Sequence, residues 1–368
     1  MKLSCTQENL ERGLATVVHL AGRNVTLPIL NNVLLKTENG VIQLMTTNLE
    51  MGVRATLRGK VEEEGSFTVQ ARLFMDYVGL LPNDRVDIEV SENLMRIVGG
   101  GNETTMKGLT ADEFPLLPSI EQQNGIEVDL HTFRDAVTET LFAAALDDTR
   151  PEISGVYCVV ANQTFTCVGT DSYRLAERII PLHKAFSGEA RWILPLRTLQ
   201  ELLRILSQAE AGTLQIFWSE NQIAFLWDDV EFISRLVEGQ YPDYQQIIPK
   251  DFRTEAIVSR DDLIKTVKTA SLFAKSGIND VALQLSAKEN MLIVSSANQQ
   301  VGENVSRLKS IIKGDDNTIV FNYRYLLEGL ASFETDEVKL QVIDSDNPGL
   351  FRPNSDDKHI YLVMPIKK

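Results

Sequence analysis

Few residues of this 368-residue chain combine a type and a spacing that suggest chemistry. Its four histidines are scattered, and no two are spaced as metal ligands. Residues 344–349 resemble a calcium loop, but Pro348 takes a ligand position and Ser355 stands where glutamate is needed, so we expect a turn. Residues 99–102 lack the Gly-Lys-Ser/Thr ending of a phosphate loop and predict a hairpin. We therefore expect no catalytic centre, no metal and no cofactor.

The cysteines and the first residues bear on the compartment. Cys5, Cys158 and Cys167 are an odd number without a Cys-x-x-Cys pair, which favours a reducing cytosol over a disulfide scaffold. Residues 1–8 lack the apolar core of a signal peptide, and no apolar run approaches the ~18 residues of a membrane-spanning helix. We expect a cytoplasmic protein without membrane contact.

The charge balance excludes the simplest kind of DNA-binding protein, one that is basic overall. The chain has 51 acidic and 36 basic residues, a formal net charge of −15, in an otherwise ordinary globular composition with 43% apolar residues. Contact with nucleic acid would require basic side chains concentrated on one surface.

Three segments recur in the same order along the chain. An extended stretch leading into a helix with one apolar face begins at Lys2, Ile126 and Ala256. A strand ending in a small polar cluster places Asn48, Asp171 and Asn298 in equivalent positions, and a strand running into a second helix does the same for Arg72, Arg197 and Arg324. The three arginines are spaced by 125 and 127 residues.

A period near 125 residues is far longer than a solenoid repeat of ~20–50 residues, and each copy is large enough to bury its own core. The sequence therefore predicts an α+β fold of three tandem domains, 1–122, 123–252 and 253–368. We expect two helices, packed on antiparallel sheets of about eight strands, in each domain.

Basic residues recur on or beside these six helices, whereas acidic runs such as residues 62–64 and 228–229 lie elsewhere. A basic helical surface on an acidic body suits a polyanion bound at one place and repelled elsewhere. Ordinary solvated helix charges remain the alternative, because exposed lysine and arginine are common and glutamates lie on the same helices. The basic residues are Arg12, Arg72, Arg134, Arg197, Arg204, Lys265, Lys268, Lys275 and Arg324.

Four motifs resemble the bacterial replicative sliding clamps, the beta subunits of DNA polymerase III. They are Thr-Leu-Pro-Ile-Leu-Asn-Asn at 26–32, Thr-Asp-Ser-Tyr-Arg-Leu-Ala at 170–176, Tyr-Pro-Asp-Tyr at 241–244 and Val-Met-Pro-Ile at 363–366. The resemblance implies three DNA-clamp domains in a crescent, and two crescents closing head to tail into a ring around duplex DNA. It also implies a processivity subunit without catalysis of its own.

The resemblance further implies DNA contacts, partner contacts and a dimer seam. Arg23 and Arg150 match DNA-contacting positions, to which the helix charges add Arg72, Arg197 and Arg204. Asp147, Pro151 and Glu152 depart from the aromatic or amide residues frequent in the contact loop. Leu272 and Phe273 of one chain are expected to pack near Leu73, Met106 and Leu109 of another, although a Leu-Phe pair also suits an intradomain core.

An apolar groove for extended peptides of polymerases, the ATP-dependent clamp loader and repair proteins is the remaining implied site. Tyr173 replaces a frequent histidine, Gln246 a frequent arginine and Lys367-Lys368 a frequent Arg-Leu, so peptide preference is expected to differ. The groove residues are Ile153, Thr170, Ser172, Tyr173, Arg174, Leu175, Pro242, Gln246, Ile247, Asn322, Tyr325, Pro348, Leu362, Val363, Met364 and Pro365.

Two other functions compete with the clamp. A metal-dependent nucleotidyltransferase would need carboxylates converging in a cleft, and no such motif is found in the sequence. A monomeric three-domain peptide adaptor would keep the groove but would need no basic helices. The sequence favours a homodimeric DNA sliding clamp that tethers the replicative polymerase, in the cytoplasm and at the nucleoid during replication.

Overall fold

The structure, a computed structural model, describes residues 1–22, 27–123, 125–147 and 149–367. In that part of the chain lie six α-helices and 24 strands. The first repeat contains β1 (Lys2–Thr6), α1 (Gln7–Val17), β2 (Asn32–Glu38), β3 (Val41–Thr47), β4 (Met51–Leu57), β5 (Gly59–Glu63), β6 (Gly65–Gln70), α2 (Ala71–Gly79), β7 (Arg85–Ser91), β8 (Leu94–Gly99) and β9 (Asn102–Leu109).

The second and third repeats follow the same order of elements. The second has fewer but longer strands, because β11 and β12 run through what are separate strands elsewhere: β10 (Ile126–Asp129), α3 (Leu130–Leu141), β11 (Gly155–Thr170), β12 (Arg174–Pro195), α4 (Leu196–Leu206), β13 (Thr213–Trp218), β14 (Gln222–Trp227) and β15 (Val230–Arg235). The third contains β16 (Thr254–Ser259), α5 (Arg260–Ser271), β17 (Asp280–Ser286), β18 (Met291–Asn298), β19 (Gly302–Lys309), β20 (Ile311–Gly314), β21 (Asn317–Asn322), α6 (Tyr323–Ser332), β22 (Glu337–Val342), β23 (Gly349–Pro353) and β24 (His359–Val363).

Local sequence explains how two equivalent helices begin. The Thr6 hydroxyl at the end of β1 accepts a hydrogen bond from the backbone N–H of Asn9, at 3.3 Å, and Ser259 does the same for Asp262. Such N-caps satisfy amide groups that have no partner within the helix. On the buried side, Leu10 and Leu14 of α1 and Leu263 of α5 are fully buried, which confirms the apolar face predicted from their spacing.

Two compact units emerge from the contacts within the chain. Unit 1 comprises residues 1–130 and 204–236, and unit 2 comprises residues 131–203 and 237–368. Unit 1 contains one sheet of 13 strands, in which β15 pairs antiparallel with β4. Unit 2 contains a seven-stranded sheet, in which β12 pairs with β24, and a four-stranded sheet that ends at β19. The boundaries near residues 122 and 252 stay a prediction, since strand pairing unites β13–β15 with the first repeat.

The segments that resembled cofactor loops are turns. The side chain of Asp344 accepts hydrogen bonds from the backbone N–H groups of Asp346 and Asn347, at 2.9 and 3.1 Å, which closes an Asx turn. Gly100 and Gly101 join β8 to β9 with φ of 56° and 80°, as a two-residue hairpin requires. No helix in the described ranges is long and apolar enough to cross a bilayer.

Candidate partner groove and DNA-contacting surface

A tight turn between β11 and β12 forms the polar edge of the predicted groove. The Thr170 hydroxyl donates to the carbonyl of Arg174 at 2.7 Å and accepts from the backbone N–H of Ser172 at 3.2 Å. Asp171 accepts from the backbone N–H groups of Tyr173 and Arg174, at 2.9 and 3.0 Å. Ser172 has a φ of 75°, so four side-chain hydrogen bonds hold a backbone shape that non-glycine residues seldom adopt.

Arg174 is held in place by groups from three separate segments of unit 2. Its guanidinium donates to Asp171 Oδ2 at 3.0 Å, to the carbonyl of Phe142 at 2.9 Å and to the carboxylate of Glu328. The guanidinium carbon lies 4.6 Å from the centre of the Tyr325 ring. Burial alone lowers the pKa of Arg174, but the hydrogen bond to Glu328 raises that pKa above its usual range. Arg174 is therefore a fixed part of the wall.

The floor of the groove is apolar. Ile153, Leu175 and Leu362 are buried in one hydrophobic cluster, against which the half-buried Met364 packs. Val363 and Tyr325 belong to the neighbouring cluster of unit 2. Pairing of β12 with β24 sets Arg174 opposite Val363 and Leu175 opposite Leu362, and thereby joins the segments that the sequence separates by nearly 190 residues.

The rim is more exposed than the floor. Tyr173 is 64% exposed and Ile247 46% exposed, and Ser172, Pro242 and Gln246 also face solvent. Gln246 donates to Asp243 at 2.7 Å. Of the other predicted residues, Pro348 is half-buried, Pro365 is buried, and Asn322 caps α6 by accepting from the backbone N–H of Arg324. Aliphatic walls with a few fixed polar groups are typical of a peptide-binding groove.

The sequence did not assign the residues beneath this wall to the groove, although it singled out Tyr241 and Tyr244 as part of a motif. Glu328 and the carbonyl of Phe142 hold Arg174, and Tyr241 stacks on Tyr157 with ring centres 4.5 Å apart. Tyr244 donates to Glu177 at 2.6 Å, although burial still raises the pKa of that carboxyl. The spacing of Tyr325 and Glu328 could have indicated that Glu328 also faces the groove, since residues three apart share a helix face.

A second buried polar cluster of unit 2 lies outside the groove. Arg178 pairs with Glu139 at 2.9 Å and with Asp356, and His359 Nδ1 lies 3.7 Å from Glu139. Burial raises the pKa of Glu139 to about 7, against the attraction of Arg178. Burial, followed by Arg178, lowers the pKa of His359 to about 3. The imidazole is therefore neutral at physiological pH.

The predicted DNA-contacting arginines differ in how free they are. Arg72 and Arg197 are exposed at the second residue of α2 and α4, the place that Arg324 takes in α6. Arg204 is half-buried and donates to the carbonyl of Thr16 at 3.2 Å. Arg150 bonds Glu152 and Ser172, at 3.0 and 2.9 Å, and so lies beside the groove. Arg23 lies outside the described residues.

The predicted seam residues are mostly accessible. In unit 1, Leu73 and Leu109 are about half exposed, whereas Met106 is 5% exposed and faces Met95 on β8. In unit 2, Leu272 is 73% exposed just after α5, and Phe273 is half-buried. Met106 therefore lies beneath the predicted seam surface, whereas the leucines are exposed on it.

Comparison with known proteins decides the family. Family models of the DNA polymerase III beta subunit match the chain three times: the N-terminal domain at residues 1–118, the central domain at 127–243 and the C-terminal domain at 245–367. The chain belongs to the DNA polymerase III beta subunit family. Its predicted α+β fold of three clamp domains and its identification as a non-catalytic sliding clamp are thereby confirmed.

Relatives of this beta subunit family match over the full length. The beta sliding clamp of Synechococcus elongatus is 30% identical over 374 residues, covering 100% of this chain and 99% of its relative, and that of Bacillus subtilis is 29% identical. The crystal structure of the Bacillus subtilis clamp superposes with a TM-score of 0.94, covering 100% of this chain and 99% of the other. A Pseudomonas aeruginosa clamp, 27% identical, gives 0.93 with complete coverage of both chains.

Proposed function

We propose that this chain forms a homodimeric ring that encircles duplex DNA and tethers the replicative polymerase. The observation that carries the proposal is the match of three clamp domains, in order, over nearly the whole chain. A ring that holds DNA by enclosure needs no sequence-specific contact, because phosphate contacts hold no register and permit sliding.

The distribution of charge supports this proposal. Arg72, Arg197 and Arg324 are exposed at the same helical position in each repeat. The acidic runs at 62–64, 228–229 and 315–316 are exposed and lie in strands and turns. An acidic exterior repels DNA outside the ring, and basic helices attract DNA within it. Arg150 and Arg204 are proposed as weaker contacts, because both already bond to protein groups.

Ring closure is proposed to join Leu73 and Leu109 of one chain to Leu272 and Phe273 of another. Exposed leucines on two separate surfaces suit the head-to-tail association that closes a ring. We further propose that the domains span residues 1–122, 123–252 and 253–368. The protein is proposed to lie in the cytoplasm, to be recruited to the nucleoid, and to be opened by an ATP-dependent loader. A closed ring must be opened before it can be placed on circular DNA.

The groove around Arg174 and Met364 is proposed to bind extended peptides of the polymerase, the loader and repair polymerases. Its apolar floor offers the burial that such peptides need, and the exposed Tyr173 and Gln246 at its rim give it its own preference. Met364 lines the floor with a flexible, polarisable side chain that adapts to different occupants.

Linearisation of loaded DNA tests the ring. The protein is loaded onto nicked circular DNA with its loader, and the DNA is then cut once. A ring dissociates only after the cut, whereas a groove-binding adaptor stays on both forms. Light scattering is expected to give twice the chain mass of 41.2 kDa. A monomer at micromolar concentration, or equal retention on cut and uncut DNA, contradicts the proposal.

A further inference from the structure

The turn that shapes the candidate partner groove has a counterpart in unit 1. The Thr47 hydroxyl donates to the carbonyl of Met51 at 2.9 Å and accepts from the backbone N–H of Leu49 at 3.0 Å. Asn48 accepts from the backbone N–H groups of Glu50 and Met51, at 3.0 and 2.9 Å. Each bond repeats one of the turn at 170–174, and Leu49 has a φ of 77° where Ser172 has 75°.

The adjoining strand is also placed equivalently. Residues Met51 and Gly52 of β4 lie opposite Ser234 and Ile233 of β15, as Arg174 and Leu175 lie opposite Val363 and Leu362. The backbone N–H of Arg235 donates to the carbonyl of Glu50 at 2.9 Å, and that of Met364 donates to Tyr173 at the same distance. Arg235 and Glu50 thus take the places of Met364 and Tyr173.

A connecting segment closes the far side in both units. Phe114 is buried just before the half-buried Pro115, as Tyr241 is buried just before the exposed Pro242 in unit 2. The connector between Phe114 and Ile120 is anchored by the buried side chains of these two residues. Between the turn, the connector and β15 lies a cavity of about 340 Å³. The connector residue Leu116 at its edge is 96% exposed, and Leu49 is 47% exposed.

The chemistry of the cavity differs from that of the first groove at two points. Gly52 stands where the other floor has Leu175, and a Cβ there would lie 2.2 Å from Leu117 Cδ2, so Leu117 rests on the glycine as part of the floor. The rim carries the exposed charges of Glu50 and Arg235. Within the described ranges, Arg235 has no ion pair or side-chain hydrogen bond.

We propose that this cavity is a second docking groove, and that its occupant is an extended peptide of another protein with an aliphatic anchor followed by a carboxylate. The aliphatic side of the cavity, at Leu117 and Ile233, takes the anchor. The unpaired guanidinium of Arg235 takes the carboxylate, since charge-assisted arginine–carboxylate bonds are among the strong ones. Only the choice of a partner protein's peptide as the occupant rests on the proposed function of the chain. The charged rim makes the two grooves bind different peptides, so one chain of the clamp holds two partners at once.

Photo-cross-linking of the full-length protein tests this second groove. The probe is acetyl-Gly-photoleucine-Leu-Asp-Gly-amide, and a matched probe carries Asn in place of Asp. Mass spectrometry is expected to map the Asp probe to residues 47–52 and 115–118. Arg235→Ala is expected to weaken that labelling about three- to tenfold and to leave the Asn probe unchanged. Leu116→Asp, at a site exposed enough to preserve folding, is expected to abolish labelling by both probes.

Two controls separate this groove from the first. Leu80→Asp, a change at another leucine that is 84% exposed, is expected to leave labelling unchanged. Met364→Asp is expected to remove labelling of residues 172–175 and 362–365 without affecting residues 47–52. Four results would overturn the proposal. They are labelling of the first groove only, cross-links between two copies of the chain, no labelling at millimolar probe, and labelling that Arg235→Ala does not change. If no probe labels the first groove, labelling of residues 47–52 and 115–118 still tests the second groove.

Discussion

Arg174 shows how one side chain determines the shape of the candidate groove. It bonds Asp171, the Phe142 carbonyl and Glu328, and it stacks on Tyr325, with only 10% of its side chain exposed. A lysine keeps the charge but cannot bond in three directions from a planar group. The wall therefore depends on the guanidinium and not on charge alone.

Replacement of Arg174 is accordingly expected to destabilise unit 2. Arg174→Ala removes the guanidinium donor of Asp171 Oδ2 and of the Phe142 carbonyl and is expected to cost about 3 kcal/mol. Arg174→Lys is expected to recover less than half of that loss. Thermal denaturation measures both. Arg324→Ala, at an exposed position of α6, serves as the control and is expected to shift the midpoint little. A full recovery by lysine contradicts the argument from geometry.

The Glu139–His359 cluster makes stability depend on pH. Burial raises the pKa of Glu139 from 4.5 to about 7 in the folded protein, so the folded protein becomes less stable as the pH rises from 4.5 to about 7. His359, whose pKa is lowered to about 3, instead costs stability as the pH falls below 6.5. Glu139→Gln removes the first effect and keeps the second.

Glu139→Gln is therefore expected to gain stability over the parent by roughly 2 kcal/mol between about pH 5 and about pH 8. Denaturation of parent and variant at both pH values gives the difference, from which the His359 contribution cancels. Glu289→Gln, the same change at an exposed residue of unit 2, is the control. A difference that does not change with pH means that Glu139 titrates normally in the fold.

At the scale of elements, the sequence predicted what periodicity and repetition encode. The apolar face of α1, the equivalence of Arg72, Arg197 and Arg324, and the hairpin at Gly100-Gly101 all follow from local pattern. The pairing of β15 with β4 could not be predicted, because edge-to-edge contacts of strands far apart in sequence leave no periodic signal. For the same reason the compact units cross the domain boundaries expected from the repeats.

Helix α6 carries Tyr325 and Glu328 to Arg174, and its position depends on Gly329. A Cβ at residue 329 would lie 2.0 Å from Cε1 of the buried Tyr361, whose hydroxyl donates to the Tyr325 carbonyl at 2.9 Å. Gly329→Ala is therefore expected to destabilise by about 1–3 kcal/mol, despite the better helix propensity of alanine, and to weaken peptide binding in the groove.

Thermal denaturation and peptide titration of Gly329→Ala test this expectation. Ala331→Ser, at an exposed position two residues further along α6, is the matched control, and we expect it to bind peptide as the parent does. An alanine variant of parental stability and affinity would show that Tyr361 can move aside without disturbing the helix.

For the whole molecule, enclosure and charge make separable contributions. A ring on closed circular DNA is retained by topology, so its lifetime there should not depend on salt. Equilibrium binding to short linear duplex depends on phosphate contacts, whose number sets the slope of log affinity against log salt at about 0.9 per contact. The proposed phosphate contacts therefore affect binding to linear duplex and leave the lifetime on circular DNA unchanged.

Combined replacement of Arg72, Arg197 and Arg324 by alanine is expected to make that slope shallower by up to about 3 per chain and to weaken binding to linear duplex. Replacement of Arg85, Arg96 and Arg191 by alanine removes the same charge from exposed strand positions that pair with neighbouring acids. If net charge alone attracted DNA, both triple variants would lose affinity equally. A loss confined to the helix variant, with unchanged lifetime on circular DNA, assigns the phosphate contacts to the helices.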